Sequence, residues 1–126
     1  MSYTPKLLIL CSDLEGRAAL DRALSRSPLE KIFAATVSEA RKAVESEPVA
    51  LVFCAQDAPD GGLHALLDGT DLLRAHVPVV VASRNGDTAD YLDAMRAGAF
   101  DFITRPYRSE EVERIVLSAL HSPLAA

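Results

Sequence analysis

The chain has 126 residues, of which 49% are hydrophobic, and this is enough for one buried core. A net charge of -5 and the absence of tryptophan argue against a basic or base-stacking surface that binds nucleic acid directly. No apolar run approaches the ~20 residues that span a bilayer, and no signal peptide is recognisable. We therefore expect a cytoplasmic protein that does not bind membranes, with a single domain over residues 1–126 in which 121–126 are a frayed tail or the start of a linker.

Five short apolar runs alternate with amphipathic stretches. The runs are residues 7–10, 32–35, 49–53, 79–82 and 100–103. Continuous apolar runs of this length are typical of strands buried on both faces of a parallel sheet. The stretches between them predict helices at 14–26, from an N-cap at Ser38 to Pro48, at 63–75, from an N-cap at Asp87 to Gly98, and from Ser109 onward. This alternation predicts an α/β fold with a doubly wound parallel sheet.

Two of the predicted helices carry apolar residues at spacings that suit an inner face. In the first helix these are Leu14, Ala18, Leu20 and Leu24. In the last helix they are Val112, Ile115, Val116, Ala119 and Leu120. An apolar stripe of this kind indicates a helix that packs on a sheet.

Residues 97–107 read Ala-Gly-Ala-Phe-Asp-Phe-Ile-Thr-Arg-Pro-Tyr, and they closely resemble the last strand and following loop of response-regulator receiver domains. The Phe-Asp-Phe-Ile part is most similar to receivers of enhancer-binding transcriptional activators. The similarity extends over about residues 6–121. It implies a three-layer (βα)5 flavodoxin-like fold with strand order 2-1-3-4-5, and a signalling module of two-component or phosphorelay type rather than an enzyme. If the chain is a fragment, the resemblance implies an ATPase or DNA-binding output domain after it.

In receiver domains, an acidic pair after the first strand and an aspartate after the third hold Mg²⁺, and that aspartate accepts a phosphoryl group. The similarity places Cys11 and Ser12 in the positions of the acidic pair, Asp13 directly after them, and Cys54 in the position of the acceptor. Mg²⁺ prefers hard oxygen ligands, and a thiol cannot form an acyl phosphate. We therefore predict a degenerate pocket without metal, cofactor or catalytic residues, and signalling that is independent of aspartyl phosphorylation.

At the other positions of the pocket, this sequence matches the residue types of receiver domains only in part. Ser83 matches the switch serine or threonine and Phe102 the switch aromatic, while Arg105 stands in the position of the lysine. Arginine keeps the charge but replaces a compact ammonium group with a planar fork. Two interpretations of Arg105 stay open, because it could hold an anion or form an ion pair with a nearby carboxylate. The candidate carboxylates are Asp13, Asp57 and Asp60.

Two other functions stay open as alternatives. In the first, Asp13 or Asp57 replaces the missing aspartate as phosphoacceptor. In the second, Cys11 and Cys54 act as a thiol-based redox or small-ligand sensor, since the resemblance places both at the carboxyl ends of adjacent strands. Against this second alternative, cysteine is a small, readily buried residue, and these two could simply fill space.

The expected partner is a protein: a histidine kinase, an output domain or another signalling protein. In typical receivers the partner face is formed by the fourth helix, fifth strand and fifth helix, and the same face forms homodimers. Here that face should include Arg96, Asp101, Tyr107, Glu110, Glu111 and Arg114. Such mixed charges suit pairs between subunits, although an exposed charged helix face is the commoner explanation.

Overall fold

The computed structural model describes residues 4–121, and five strands alternate with five helices along them. The strands are β1 (Lys6–Leu10), β2 (Glu30–Ala34), β3 (Val49–Ala55), β4 (Val79–Ser83) and β5 (Asp101–Thr104). The helices are α1 (Leu14–Ala23), α2 (Val37–Ser46), α3 (Gly62–Asp68), α4 (Thr88–Ala97) and α5 (Ser109–Leu120). The tail predicted for 121–126 lies, from residue 122 on, outside the described residues. None of the five helices described over residues 4–121 has the length and apolar content that a membrane span requires.

All five strands are parallel and form one sheet in the order β2-β1-β3-β4-β5. Leu10 of β1 pairs with Cys54 of β3, which in turn pairs with Val81 of β4. Since the strands are parallel, their carboxyl ends meet at one edge of the sheet. The predicted α/β, flavodoxin-like fold with strand order 2-1-3-4-5 is confirmed.

The alternating side chains of the strands form two core layers, one on each face of the sheet. Residues such as Ile9 and Phe53 pack with α1 and α5 on one face, whereas Leu10 and Val52 pack with α2, α3 and α4 on the other. These four side chains are completely buried. Burial on both faces explains why the strands read as continuous apolar runs rather than as an alternating pattern.

Three details of the predicted helices are wrong. Helix α1 ends at Ala23, and its inner face is formed by Gly16, Leu20 and Ala23, whose i, i+4, i+7 spacing follows the helix period. Leu14 lies off this stripe and is 77% exposed. Ala18 is also exposed.

The N-cap of α2 is Thr36 rather than Ser38. The Thr36 hydroxyl oxygen accepts a hydrogen bond from the Glu39 amide (3.1 Å), and the Glu39 carboxylate accepts one from the Ala35 amide (2.8 Å). This reciprocal arrangement is close to a capping box, and it fixes the N-cap two residues before Ser38.

Helix α3 ends at Asp68, seven residues before the predicted end at 75. Gly69 is its C-cap, and the Thr70 hydroxyl donates a hydrogen bond to the Leu66 carbonyl (2.7 Å), which satisfies an acceptor at the helix end. The apolar residue Leu72 lies in the turn that follows the helix, and its side chain is buried there. In α4, by contrast, the predicted N-cap Asp87 and the left-handed C-cap Gly98 are both confirmed.

Candidate functional site

Loops that follow β1, β3, β4 and β5 meet at the carboxyl edge of the sheet. In open α/β sheets this edge is where ligands bind. The predicted pocket residues all belong to these strand ends or to the first residues after them. They are Cys11, Ser12, Asp13, Cys54, Ser83 and Arg105. We call this group the carboxyl-edge site.

Both cysteines are buried free thiols. Cys11 packs in the layer of α1 and α5, whereas Cys54 packs in the layer of α2, α3 and α4, so the two side chains lie on opposite faces of the sheet. Burial raises the pKa of Cys54 to about 12, and burial also raises the pKa of Cys11. Both groups therefore remain protonated at neutral pH, and a protonated thiol is a weak nucleophile and a weak metal ligand.

Asp13 caps α1 and is the carboxylate of the site that makes the most polar contacts. Its Oδ2 atom accepts hydrogen bonds from the Gly16 amide (3.0 Å), from Arg105 Nη2 (3.0 Å) and from Arg84 Nη2 (3.1 Å). The Arg105 guanidinium, followed by the Gly16 amide, lowers the pKa of Asp13 below its ordinary value. Asp13 is therefore a charged acceptor that is already engaged by two arginines.

Arg105 forms an ion pair, which is the second of the two interpretations drawn from the sequence. Its partner is Asp13 at 3.0 Å, and Glu15 lies 4.0 Å from Nη1. Hydrogen bonding to Asp13, and then to Tyr107, raises the pKa of Arg105. The peptide bond between Arg105 and Pro106 is cis.

The remaining residues of the site occupy different environments. Ser83 is buried, and its hydroxyl oxygen accepts hydrogen bonds from the amides of Asn85 (3.2 Å) and Gly86 (3.0 Å), so it shapes the loop before α4. Ser12 is exposed at the mouth of the site. Phe102 is half-buried on the α4 side, where its ring meets Tyr91 edge-on with a centroid distance of 5.6 Å.

Asp57 lies on the loop after β3 and is exposed. Among residues 4–121, none forms a side-chain hydrogen bond or ion pair with it. Asp60, on the same loop, is also exposed and has a positive φ of 69°. Neither carboxylate pairs with Arg105.

The predicted partner face divides into two parts. Arg96 on α4 and three residues of α5 are exposed; the three are Glu110, Glu111 and Arg114. Asp101 is half-buried and accepts a hydrogen bond from the next amide in the chain. Tyr107 lies elsewhere: its ring packs against the α1 and α5 core layer and lines a groove of about 610 Å³ together with Glu15 and Arg22 of α1.

The donor set does not fit Mg²⁺. The ends of β1 and β3 offer two protonated thiols and one neutral hydroxyl, while the Asp13 carboxylate is shared between two guanidinium groups. Mg²⁺ requires several hard oxygen ligands in near-octahedral geometry. In the described part of the chain, no group of three or more His, Cys, Asp or Glu side chains is arranged to hold a metal.

Three contributors to the site were missed in the sequence: Gly16, Arg17 and Arg84. Arg84 reaches Asp13 across the sheet edge, and Arg17 donates a hydrogen bond to the Cys11 carbonyl (3.2 Å) while its guanidinium lies 5.4 Å from the Phe33 ring centroid. The only feature of the sequence that could have pointed to Arg84 is its position as a basic residue directly after Ser83. Gly16 shows a clearer signal, since glycine in the first turn of a helix lowers its stability and suggests a close approach.

Comparisons with known proteins agree with the fold. The chain is 30% identical over 115 residues to response regulator protein PilR of Pseudomonas aeruginosa, a match that covers 91% of this chain and 26% of PilR. It is 31% identical over 111 residues to transcriptional regulatory protein PrrA of Mycobacterium bovis, covering 82% of this chain and 45% of PrrA. The chain thus spans about a quarter of the length of PilR and less than half of that of PrrA.

Among solved structures, the receiver domain of NtrX from Brucella abortus superposes with a TM-score of 0.82 at 25% identity, covering 93% of this chain and 99% of that domain. No protein-family model matches the chain. The similarity to curated and solved proteins therefore extends over nearly the whole chain, although the sequences have diverged widely.

Proposed function

The chain belongs to the response-regulator receiver domains of two-component systems, and we propose that it transmits signals through protein contacts without aspartyl phosphorylation. One observation carries this proposal: the position at the end of β3 holds Cys54, a completely buried thiol with a pKa of about 12. A protonated thiol in a closed apolar environment cannot accept a phosphoryl group as an aspartate does. The switch in this domain then has to work by another route.

Asp13 supports the same conclusion. Acceptance of a phosphoryl group requires a carboxylate oxygen that is free to attack phosphorus. Asp13 Oδ2 accepts hydrogen bonds from two guanidinium groups and from the Gly16 amide, so an attack through Oδ2 would break all three. An attack through Oδ1 would make Oδ2 the neutral carbonyl oxygen of an acyl phosphate and so remove the charge that holds both arginines. Asp13 is thus a poor substitute acceptor.

Asp57 is the better-placed alternative acceptor, because it is exposed and makes no side-chain ion pair within residues 4–121. It lies three residues beyond Cys54 on an exposed loop, and within residues 4–121 it belongs to no group of acidic, His or Cys side chains that could hold Mg²⁺ beside it. The thiol-sensor alternative is not favoured by the geometry, since the two thiols are buried in different core layers.

The proposed partner is a protein that reads the exposed charges of α4 and α5, such as a histidine kinase, an output domain or another signalling protein. The relatives PilR and PrrA are regulators, and we propose that a longer protein carrying this domain regulates transcription. A cytoplasmic location, a homodimer and the absence of direct nucleic-acid binding remain predictions from the sequence.

Intact-mass measurement after incubation with acetyl phosphate and Mg²⁺ tests the proposal. We expect no phosphoryl adduct on the wild-type chain under conditions that fully label a receiver with an intact acidic pocket. The matched variant is Asp57→Asn, which removes the free carboxylate and leaves the Asp13 contacts unchanged. A stoichiometric adduct on the wild type would overturn the proposal, and its loss in Asp57→Asn would identify the acceptor.

A further inference from the structure

One carboxylate oxygen joins three loops at the carboxyl edge. Asp13 follows β1, Arg84 follows β4 and Arg105 follows β5, and both arginines donate hydrogen bonds to Asp13 Oδ2. We propose that these three side chains form a permanent ionic clasp, which holds the loops before α4 and α5 in one arrangement without any bound ligand. The clasp goes beyond the proposed function, because it would also stand if Asp57 were phosphorylated.

The strand order explains what the clasp connects. Strand β3 lies between β1 and β4, so the ion pairs from Asp13 to Arg84 and Arg105 pass across the end of β3, where Cys54 lies. Arg84 begins the loop that leads to α4, and Arg105 begins the loop that leads to α5. The two elements that border β5 are therefore both tied to the start of α1 through one side chain.

Gly16 shows how closely the clasp is packed. A Cβ atom at this position would lie 2.5 Å from Arg105 Nη2, 3.1 Å from Asp13 Oδ2 and 3.1 Å from Cys11 Sγ. Glycine weakens a helix relative to alanine, so its presence in the first turn of α1 is explained by the space that the Arg105 guanidinium needs. The same distances place the Cys11 thiol beneath the clasp.

The charges favour a fixed arrangement. Asp13, Arg84 and Arg105 have side chains that are 35%, 55% and 24% exposed, so each pair alone would be partly screened by solvent. The two guanidinium groups nevertheless donate to one oxygen, Asp13 Oδ2, which also accepts the hydrogen bond that caps α1. Each of these contacts therefore restrains the others. Arg17 adds a third guanidinium, which donates to the Cys11 carbonyl and secures the end of β1.

Three variants of the whole chain test the clasp. Asp13→Asn keeps a side-chain oxygen that caps α1 but removes the charge that holds both arginines. Gly16→Ala keeps every charge and improves the helix, while its Cβ displaces the end of Arg105. The matched control is Asp21→Asn, which removes another ion pair of α1, the 2.6 Å contact with Lys31, far from the carboxyl edge.

Two measurements report on the clasp under native conditions. Amide hydrogen exchange follows residues 84–88 and 105–109, and alkylation with peptide mapping follows Cys11. In Asp13→Asn we expect amide exchange in both segments and alkylation of Cys11 to become about threefold faster or more, because local opening no longer requires the ion pairs of the clasp to break. Gly16→Ala should accelerate the 105–109 segment and Cys11 labelling, and Asp21→Asn should change neither.

The buried α5 amides of Val112 and Ile115 separate local from global opening, because they must keep their protection for the assignment to hold. If Asp13→Asn fails to fold, Arg84→Gln tests the clasp instead. The Arg84 side chain is largely exposed, so its replacement leaves the core intact. This variant should accelerate amide exchange at residues 84–88. Unchanged exchange and labelling in Asp13→Asn and Gly16→Ala, or unchanged exchange in Arg84→Gln, would overturn the clasp. A phosphoryl adduct in the earlier experiment would overturn the proposed function alone.

Discussion

The interior of the sheet and its carboxyl edge differ in what holds them together. In the interior, Ile9, Phe53 and Val80 are fully buried and fit their neighbours through shape and apolar area. At the edge, Asp13, Arg84 and Arg105 are partly exposed and are joined by directed charge contacts. Apolar burial is the main favourable term in folding, so we expect the stability of the fold to depend mainly on the interior and less on the charged edge.

The two cysteines of the carboxyl-edge site belong to the interior rather than to the charged edge. Cys11 and Cys54, which the sequence resemblance predicts to stand at the acidic positions of a receiver, both belong to the buried core layers. The charged groups of this chain lie one step further out, on the loops. The ends of β1 and β3 therefore contribute thiols to the core, while the charged groups form a cluster at the surface of the edge.

The largest expected effect lies in the interior. Phe53→Ala should lower the free energy of unfolding by about 3–5 kcal/mol, since a large buried side chain in the middle of β3 leaves a cavity. Urea denaturation measures this loss. The comparison variant Phe33→Ala removes the same side chain from the edge strand β2, where it is 39% exposed and contacts Arg17, and should cost a smaller amount of about 1–2 kcal/mol. Equal losses would contradict the division into interior and surface.

The end of β3 should behave as interior rather than as a polar pocket. Cys54→Ser keeps the size of the side chain but buries a hydroxyl, and it should lower the free energy of unfolding by about 1–3 kcal/mol. The control is Ser83→Ala, which removes a hydroxyl that accepts two amide hydrogen bonds, and it should loosen the loop at Asn85 and Gly86. If Cys54→Ser were as stable as the wild type, the site would be polar and open to solvent.

Much of the fold could be predicted because its signals are local. Apolar runs mark the strands, and Asp87 and Gly98 mark the two ends of α4 through their own chemistry. The end of α3 could not be predicted, because the apolar sequence continues to Leu72 while Gly69 and a side-chain hydrogen bond stop the helix. Apolar spacing also misplaced Leu14, since the buried stripe of α1 runs through Gly16, Leu20 and Ala23 instead.

The sequence pointed to strand ends that lie at one edge of the sheet, but it did not specify the contacts there, and it gave no role to Gly16, Arg17 or Arg84. The pairing of Arg105 with Asp13 was one of the alternatives, because the strands that precede these two residues end at the same edge of the sheet. Arg84 was missed, since its contact with Asp13 joins residues 71 positions apart in the chain and leaves no periodic pattern. Long-range charge contacts of this kind become visible only when the strand order and the loop directions are known.

The smallest expected effect is the dependence of the edge on pH. The folded-state pKa of Asp13 is lowered from 3.8, so its contribution to stability is complete above pH 3.8 and is lost as the pH falls through the lower, folded-state value. Urea denaturation of the wild type and Asp13→Asn should therefore give a constant difference from neutral pH down to the ordinary carboxyl value, and a shrinking difference below it.

Protonation of Asp13 removes the acceptor charge for Arg84 and Arg105 together, so the wild type should approach the variant in strong acid. Added salt at neutral pH should reduce the same difference, because these side chains are partly exposed to solvent. A difference that disappears well above pH 3.8 would show that Arg105 does not hold the carboxylate in its charged form. The Phe53→Ala loss should not change with the ionisation of Asp13, because a cavity in the interior has no proton to exchange.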